Sequence, residues 1–187
     1  ESSAASDVYK RQEYYPLSSA QKRLYILNQI EEGQTAYNMP FAMKIRGGLQ
    51  TEKAEKAFRT LIKRHESLRT SFVTINGEPV QKINEDVPFA IKHSEADNCS
   101  LRERMNHFIR PFDLEKAPLL RAELVRVNAA EHILLLDMHH IISDGVSIGI
   151  LLKEWAALYE EKELPPINIQ YKDCLLYTSD AADDSLR

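Results

Sequence analysis

The sequence predicts an α/β chain of the α+β kind: a mixed sheet with hairpins and flanking helices, not a regular βαβ alternation. Three observations point there. Ala54, Ala57, Phe58, Leu61 and Ile62 recur at helical spacing and make one face of an amphipathic helix. Asn76-Gly77, the strongest short hairpin signal, separates two β-rich runs. Two long apolar runs, Leu119–Val127 and His132–Met138, are joined across Asn128-Ala129-Ala130 as a second hairpin.

The elements follow in order. Ser18 precedes Ser19-Ala20-Gln21-Lys22-Arg23-Leu24-Tyr25-Ile26-Leu27, so it caps a short helix that runs to about Ile30. Gly33-Gln34-Thr35 breaks that helix, and Tyr37–Ile45 reads as a strand ended by Gly47-Gly48. The amphipathic helix starts at Thr51 and ends near His65, with Lys and Glu on its wet side. Thr70–Ile75 and Val80–Ile83 form the first hairpin, and Phe89–Ile91 is a candidate short strand. Leu101–Ile109 reads as a helix stopped by Pro111. Ile150, Leu151, Trp155 and Leu158 mark a long helix over Val146–Leu164, stopped by Pro165-Pro166.

With 187 residues and 43% hydrophobic content, the chain suffices for one packed core, and disorder or low complexity is excluded. No apolar run approaches the roughly 20 residues of a membrane-spanning helix, so no membrane association is expected. The formal charge of −4 argues against a nucleic-acid partner. Cys99 and Cys174 make no disulfide framework, which points to a cytoplasmic protein.

The two ends read as foreign. Ser2–Gln12 and Cys174–Asp183 can be encoded by opposite strands of one DNA duplex, which resembles a transposase-type sequencing-library adapter. Residues 1–12 and 174–187 are therefore expected to be adapter-like artefact and flank, leaving 13–173 as the native segment, a fragment of something longer.

The chemistry concentrates in Met138-His139-His140-Ile141-Ile142-Ser143-Asp144-Gly145, where a buried strand ends and a helix begins. Adjacent histidines on extended backbone point to opposite faces, so they do not share a metal ion, and no metal site is expected. One ring should face the core and the other an open cleft. Gly145 is available for a positive φ. Read purely structurally, the same residues give a buried histidine and an Asp144 helix cap.

This stretch resembles the HHxxxDG motif of condensation domains of nonribosomal peptide synthetases, members of the chloramphenicol-acetyltransferase-like superfamily. Ser18–Leu27 resembles the family's SxAQxRLWxL, with Tyr25 in place of Trp. Arg64–Phe72 resembles RHExLRTxF at every fixed position, and Tyr171-Lys172-Asp173 looks like the start of a further motif. The resemblance implies the N-terminal half of a two-lobed domain, inactive alone. Its chemistry would be amide formation between an acyl or peptidyl thioester and an aminoacyl thioester, each carried on the phosphopantetheine arm of an upstream or downstream carrier domain. An adenylation domain of the same synthetase is a further implied partner, and no cofactor bound by the domain itself is implied.

By the same resemblance, His140 faces the substrate tunnel and meets the acceptor amine, while His139 packs. Asp144 is expected to act structurally through an ion pair, with Arg69 as partner and Arg64 as the alternative; the Gly145 amide would assist near the oxyanion. His65 reads as a helix-end residue. Among alternatives, epimerisation domains usually carry Trp soon after DGVS, and Val146–Leu151 does not. Heterocyclisation domains replace the first histidine by Asp. Free-standing acyltransferases share HxxxDG but not the two upstream stretches. A non-catalytic interaction module is the reading from another class. Leu24-Tyr25-Ile26-Leu27 and Tyr37-Asn38-Met39-Pro40 most resemble the subclass that joins two L-residues.

Overall fold

The structure, a computed structural model, describes residues 14–30, 33–97 and 99–175. The adapter-like reading of 1–12 and 176–187 falls outside them, and residues 174 and 175 continue a helical turn over 171–175.

Two sheets form. Strands β1 (Tyr14–Pro16), β4 (Glu78–Ile83) and β3 (Thr70–Ile75) pair antiparallel in the order β1-β4-β3. The second sheet runs β2-β7-β6-β5, built from β2 (Asn38–Arg46), β7 (Glu131–His139), β6 (Leu120–Asn128) and β5 (Lys92–Glu95). Its β2–β7 and β7–β6 pairs are antiparallel, whereas β5 joins β6 in parallel. Among the described residues the sheets are flanked by helices α1 (Ser19–Ile30), α2 (Thr51–Arg64), α3 (Leu101–Phe108) and α4 (Gly145–Tyr159), with a 3-10 turn at Glu66–Arg69.

The alternation of β7 divides the protein into two layers. Leu134, Leu136 and Met138 face α2 and α4 and join one core with Phe58, Leu61, Leu151 and Trp155. Ile133 and Leu135 point the other way, where Phe108 and Met105 of α3 cover them. The α2–α4 contact is fixed by the Trp155 indole, which donates to the Ala54 carbonyl at 3.1 Å and packs 5.5 Å from the Phe58 ring.

Most expected elements stand where the patterns placed them, two are shifted, and β1 was not expected. The strand expected at Phe89–Ile91 forms instead at Lys92–Glu95. Phe89 is spent packing 5.7 Å from the Phe58 ring and Ile91 is buried, so pairing starts only after the chain is anchored. The last long helix ends at Tyr159, five residues short of Leu164. There Glu161 adopts φ 60, and the amides of Glu161 and Lys162 bond back to the Leu158 and Ala157 carbonyls. That is a Schellman stop with a non-glycine residue at its left-handed position. At the hairpin, Asn76 (φ 53) and Gly77 (φ 85) both take the left-handed region that a type I′ turn requires.

Glu161→Gly should therefore stabilise the fold by about 1 kcal/mol, because glycine removes the left-handed penalty and only an exposed pair with Lys53 is lost. A higher thermal midpoint is expected; an unchanged or lower one would mean the turn stores no strain.

Candidate functional site

The site is built at the end of β7. His139 lies on the α3 side of the sheet, 1% exposed, between the rings of Tyr37 and Phe112 at 6.4 and 6.2 Å. Its Nδ1 accepts the Ile141 amide at 3.1 Å, so the ring is neutral with its proton on Nε2. Burial, aided by the neighbouring His140, pushes its pKa down to about 4. His140 turns to the opposite side and is exposed. Its backbone amide donates to the Tyr37 carbonyl at 2.8 Å, and its Nδ1 donates to the Ser143 carbonyl at 2.7 Å. A carbonyl can only accept, so this bond fixes the proton on Nδ1 and leaves the Nε2 lone pair of the neutral ring for a substrate.

Asp144 does not form the expected ion pair. Its Oδ1 accepts the Ser147 amide at 2.7 Å and the Ser147 hydroxyl at 2.6 Å, the geometry of an N-cap on α4. Those bonds hold its carboxyl below the usual range. Arg69 is engaged elsewhere, donating to the Asn84 carbonyl at 2.7 Å and lying 3.6 Å from Glu66. Arg64 pairs with Glu154 of α4 at 3.2 Å and bonds the Pro165 carbonyl. Both guanidiniums are held by nearer acceptors, so neither reaches Asp144. Gly145 is the first residue of α4 and does not take the positive φ that was open to it. Nothing lies within 4 Å of where its Cβ would stand.

A cavity of about 340 Å³ gathers the three motif stretches around His140. The first motif contributes Ala20, Gln21 and Leu24. Ser18 and Gln21 form a reciprocal capping box: the Ser18 hydroxyl accepts the Gln21 amide at 3.1 Å, and Gln21 Oε1 accepts the Ser18 amide at 3.0 Å. The buried Gln21 also donates from Nε2 to the Ile141 carbonyl at 3.3 Å, tying α1 to the histidine turn. The second motif contributes Glu66, Ser67 and Thr70. Glu66 pairs with Lys172, its amide donates to Gln170, and Tyr171 donates to the Ser18 hydroxyl at 3.1 Å. The segment 165–173 is thereby strapped along one wall. His65 caps the C-terminus of α2, with its Nε2 2.7 Å from Glu154.

Two groups here escaped the sequence reading. Glu154 receives both Arg64 and His65, and its only sequence signal is an acid within an otherwise apolar helix face. Asp137, fully buried on β7, is an acid inside the run Leu134-Leu135-Leu136-Asp137-Met138. An acid in such a run must find partners, which is signal enough to have singled it out.

The capping role sets the size of a mutational effect. Asp144→Ala should cost about 1 kcal/mol, the worth of a cap, rather than the ~3–5 kcal/mol of a broken buried ion pair. Asp144→Ser should restore most of it, and a loss above ~3 kcal/mol by chemical denaturation would return the ion pair to consideration.

His139 makes the fold acid-sensitive. Its folded pKa of about 4 lies below the ordinary 6.5, so the unfolded chain binds the proton more readily. The stability is fully present above pH 6.5 and is lost as pH falls toward 4, by about 3 kcal/mol in all. Urea midpoints across that range should show the slope, and His139→Asn should flatten it.

The family model described as "Condensation domain" matches residues 11–183. Bacitracin synthase 2 of Bacillus licheniformis is 86% identical over 170 residues, 90% of this chain but 6% of that protein. Tyrocidine synthase 3 of Brevibacillus parabrevis is 55% identical over 164 residues, 88% of this chain and 2% of that protein. Among solved structures, the complex of the X-domain and OxyB from teicoplanin biosynthesis aligns with TM-score 0.85 and 27% identity, covering 95% of this chain and 40% of that one. The first condensation domain of the CDA synthetase shares the fold at TM-score 0.78 and 20% identity, covering 90% and 46%. The chain thus spans a small part of its curated relatives and less than half of the solved chains it matches.

Proposed function

The chain belongs to the condensation-domain family, and from that premise we propose that residues 13–173 form the N-terminal part of a domain that makes amide bonds in a nonribosomal peptide synthetase. The α-amine of an aminoacyl thioester on a downstream carrier attacks the carbonyl of an acyl or peptidyl thioester on an upstream carrier. A C–N bond forms, the C–S bond breaks, and the thiolate of the upstream phosphopantetheine arm leaves. An adenylation domain of the same synthetase supplies the activated residue. The substrates arrive on their arms, so the domain needs no cofactor of its own. Among the described residues no helix is long and apolar enough to cross a membrane.

One observation carries this reading: His140, on the turn that follows β7, lines the cavity formed by the motif stretches with its Nδ1 tied to the Ser143 carbonyl. Nε2 is thus the atom that meets the amine. A free α-amine has a pKa of about 7.7–8.0, so a useful share is neutral near pH 7. A thiol of pKa about 8.5 leaves without strong acid assistance. Full deprotonation before attack is not required. His140 orients the amine and takes its proton as the tetrahedral species forms, and the proton then passes to the departing thiolate. The Gly145 amide, next to a capping carboxylate, is the lesser contributor to oxyanion stabilisation. His139 holds the turn and touches no substrate. The 187-residue chain alone carries only part of the tunnel wall and is inactive by itself.

In a synthetase module carrying this sequence within its complete condensation domain, His140→Ala should lower the rate of dipeptidyl-carrier formation by about 10²–10⁴-fold. Formation within a few-fold of the parent would leave His140 no catalytic part and favour a docking module or another acyltransferase.

A further inference from the structure

The scheme above leaves the buried carboxyl of Asp137 without a task. Asp137 stands three residues before His140 on β7 and is fully buried. Its Oδ2 accepts from Asn38 Nδ2 at 2.7 Å and lies 3.4 Å from Arg121 Nη1. Its Oδ1 has no hydrogen-bond partner among the described residues. Burial pushes this carboxyl up, while the Asn38 amide and the charge of Arg121 oppose the rise. A carboxylate kept half-satisfied in a dry interior is unfavourable to folding and marks a place where geometry is retained for another reason.

Its contacts lead to both histidines. Asn38 lies opposite His139 in the β2–β7 register, and the residue before it, Tyr37, supplies the carbonyl that holds the His140 amide at 2.8 Å. The Asn38 side chain also donates to the Arg110 carbonyl at 2.9 Å, which accepts Arg121 Nη1 at 2.6 Å as well. Arg121 lies flat over the Phe112 ring at 3.7 Å, and that ring meets His139 edge-on. One carboxylate thus gathers β2, β6, β7 and the 110–112 segment behind the histidine pair.

We propose that Asp137, acting through Asn38 and Arg121, is a positioning residue that sets the angle at which the His140 imidazole enters the cavity. It touches neither substrate nor His140. It fixes the end of β2 that holds the His140 backbone and the ring stack that holds His139. A displacement of about 1 Å at a reacting group can lower the rate by up to ~10²-fold, so a support this close to the histidines is enough to matter.

The inference rests on the assignment of His140, and the experiment separates the two. Asp137→Asn keeps the shape and removes the charge. In the synthetase module it should lower kcat about tenfold or more, with the KM for the carrier-bound acceptor within twofold. Added to His140→Ala, it should cause no further loss, because both act through one group. Asn38→Ser, which removes the amide linking Asp137 to the Arg110 carbonyl, should show the same split and serves if Asp137→Asn does not fold. If either folded variant keeps kcat within twofold of the parent, or if its loss multiplies with that of His140→Ala, the inference is overturned. If His140→Ala itself is near the parent, the assignment of His140 fails instead.

Discussion

Everything at this site depends on the alternation of one strand. β7 is the inner partner of both β2 and β6, so its register is pinned on two sides. Odd-numbered residues near its end must face α3 and even-numbered ones the α2–α4 core. A slip of one residue would carry Asp137 and His139 to the α2–α4 face and Met138 to the α3 face. The turn that follows is held as firmly, by the Ile142 amide on the His139 carbonyl and the Ser143 carbonyl on the His140 ring. The exposed imidazole thus stands on the first residue of a turn that these local bonds hold in one arrangement at the end of the pinned strand.

The upstream motifs serve that strand end by covering it. Gln21 completes a helix cap and spends its amide nitrogen on the Ile141 carbonyl, so helix initiation and site closure share one side chain. Arg64 and His65 converge on Glu154, which orients α4 just after the turn. Glu66 and Lys172 lock the 165–173 strap beside the cavity. Burial at these pairs is incomplete, and their net contribution to stability is small beside the apolar core. Their larger effect is to make the cavity wall a single arrangement.

Legibility followed the range of the interaction. The histidine partition, the Ser18 cap and the Asn76-Gly77 turn depend on residues within a few positions of each other, and the sequence pattern showed them. The partner of Asp144 depended on where two guanidiniums lie in space, and the structure sends Arg69 to Glu66 and Arg64 to Glu154, ninety positions along the chain. The strand after Phe89 was displaced because apolar pattern does not separate a paired residue from one packed against a helix, as Phe89 is on Phe58. Asp137 was visible as an acid in an apolar run, but its partners were not, because Asn38 and Arg121 come from two neighbouring strands.

The capping role also changes what Asp144 offers the reaction. Its carboxylate and a protonated His140 attract each other, and that attraction helps hold the carboxyl ionised. In the present exposed setting the field is screened, and orientation of the turn outweighs it. The Ser143 carbonyl keeps the His140 ring from turning, so what Asp144 gives the site is the direction in which α4 leaves the turn, through its bonds to the Ser147 amide and hydroxyl.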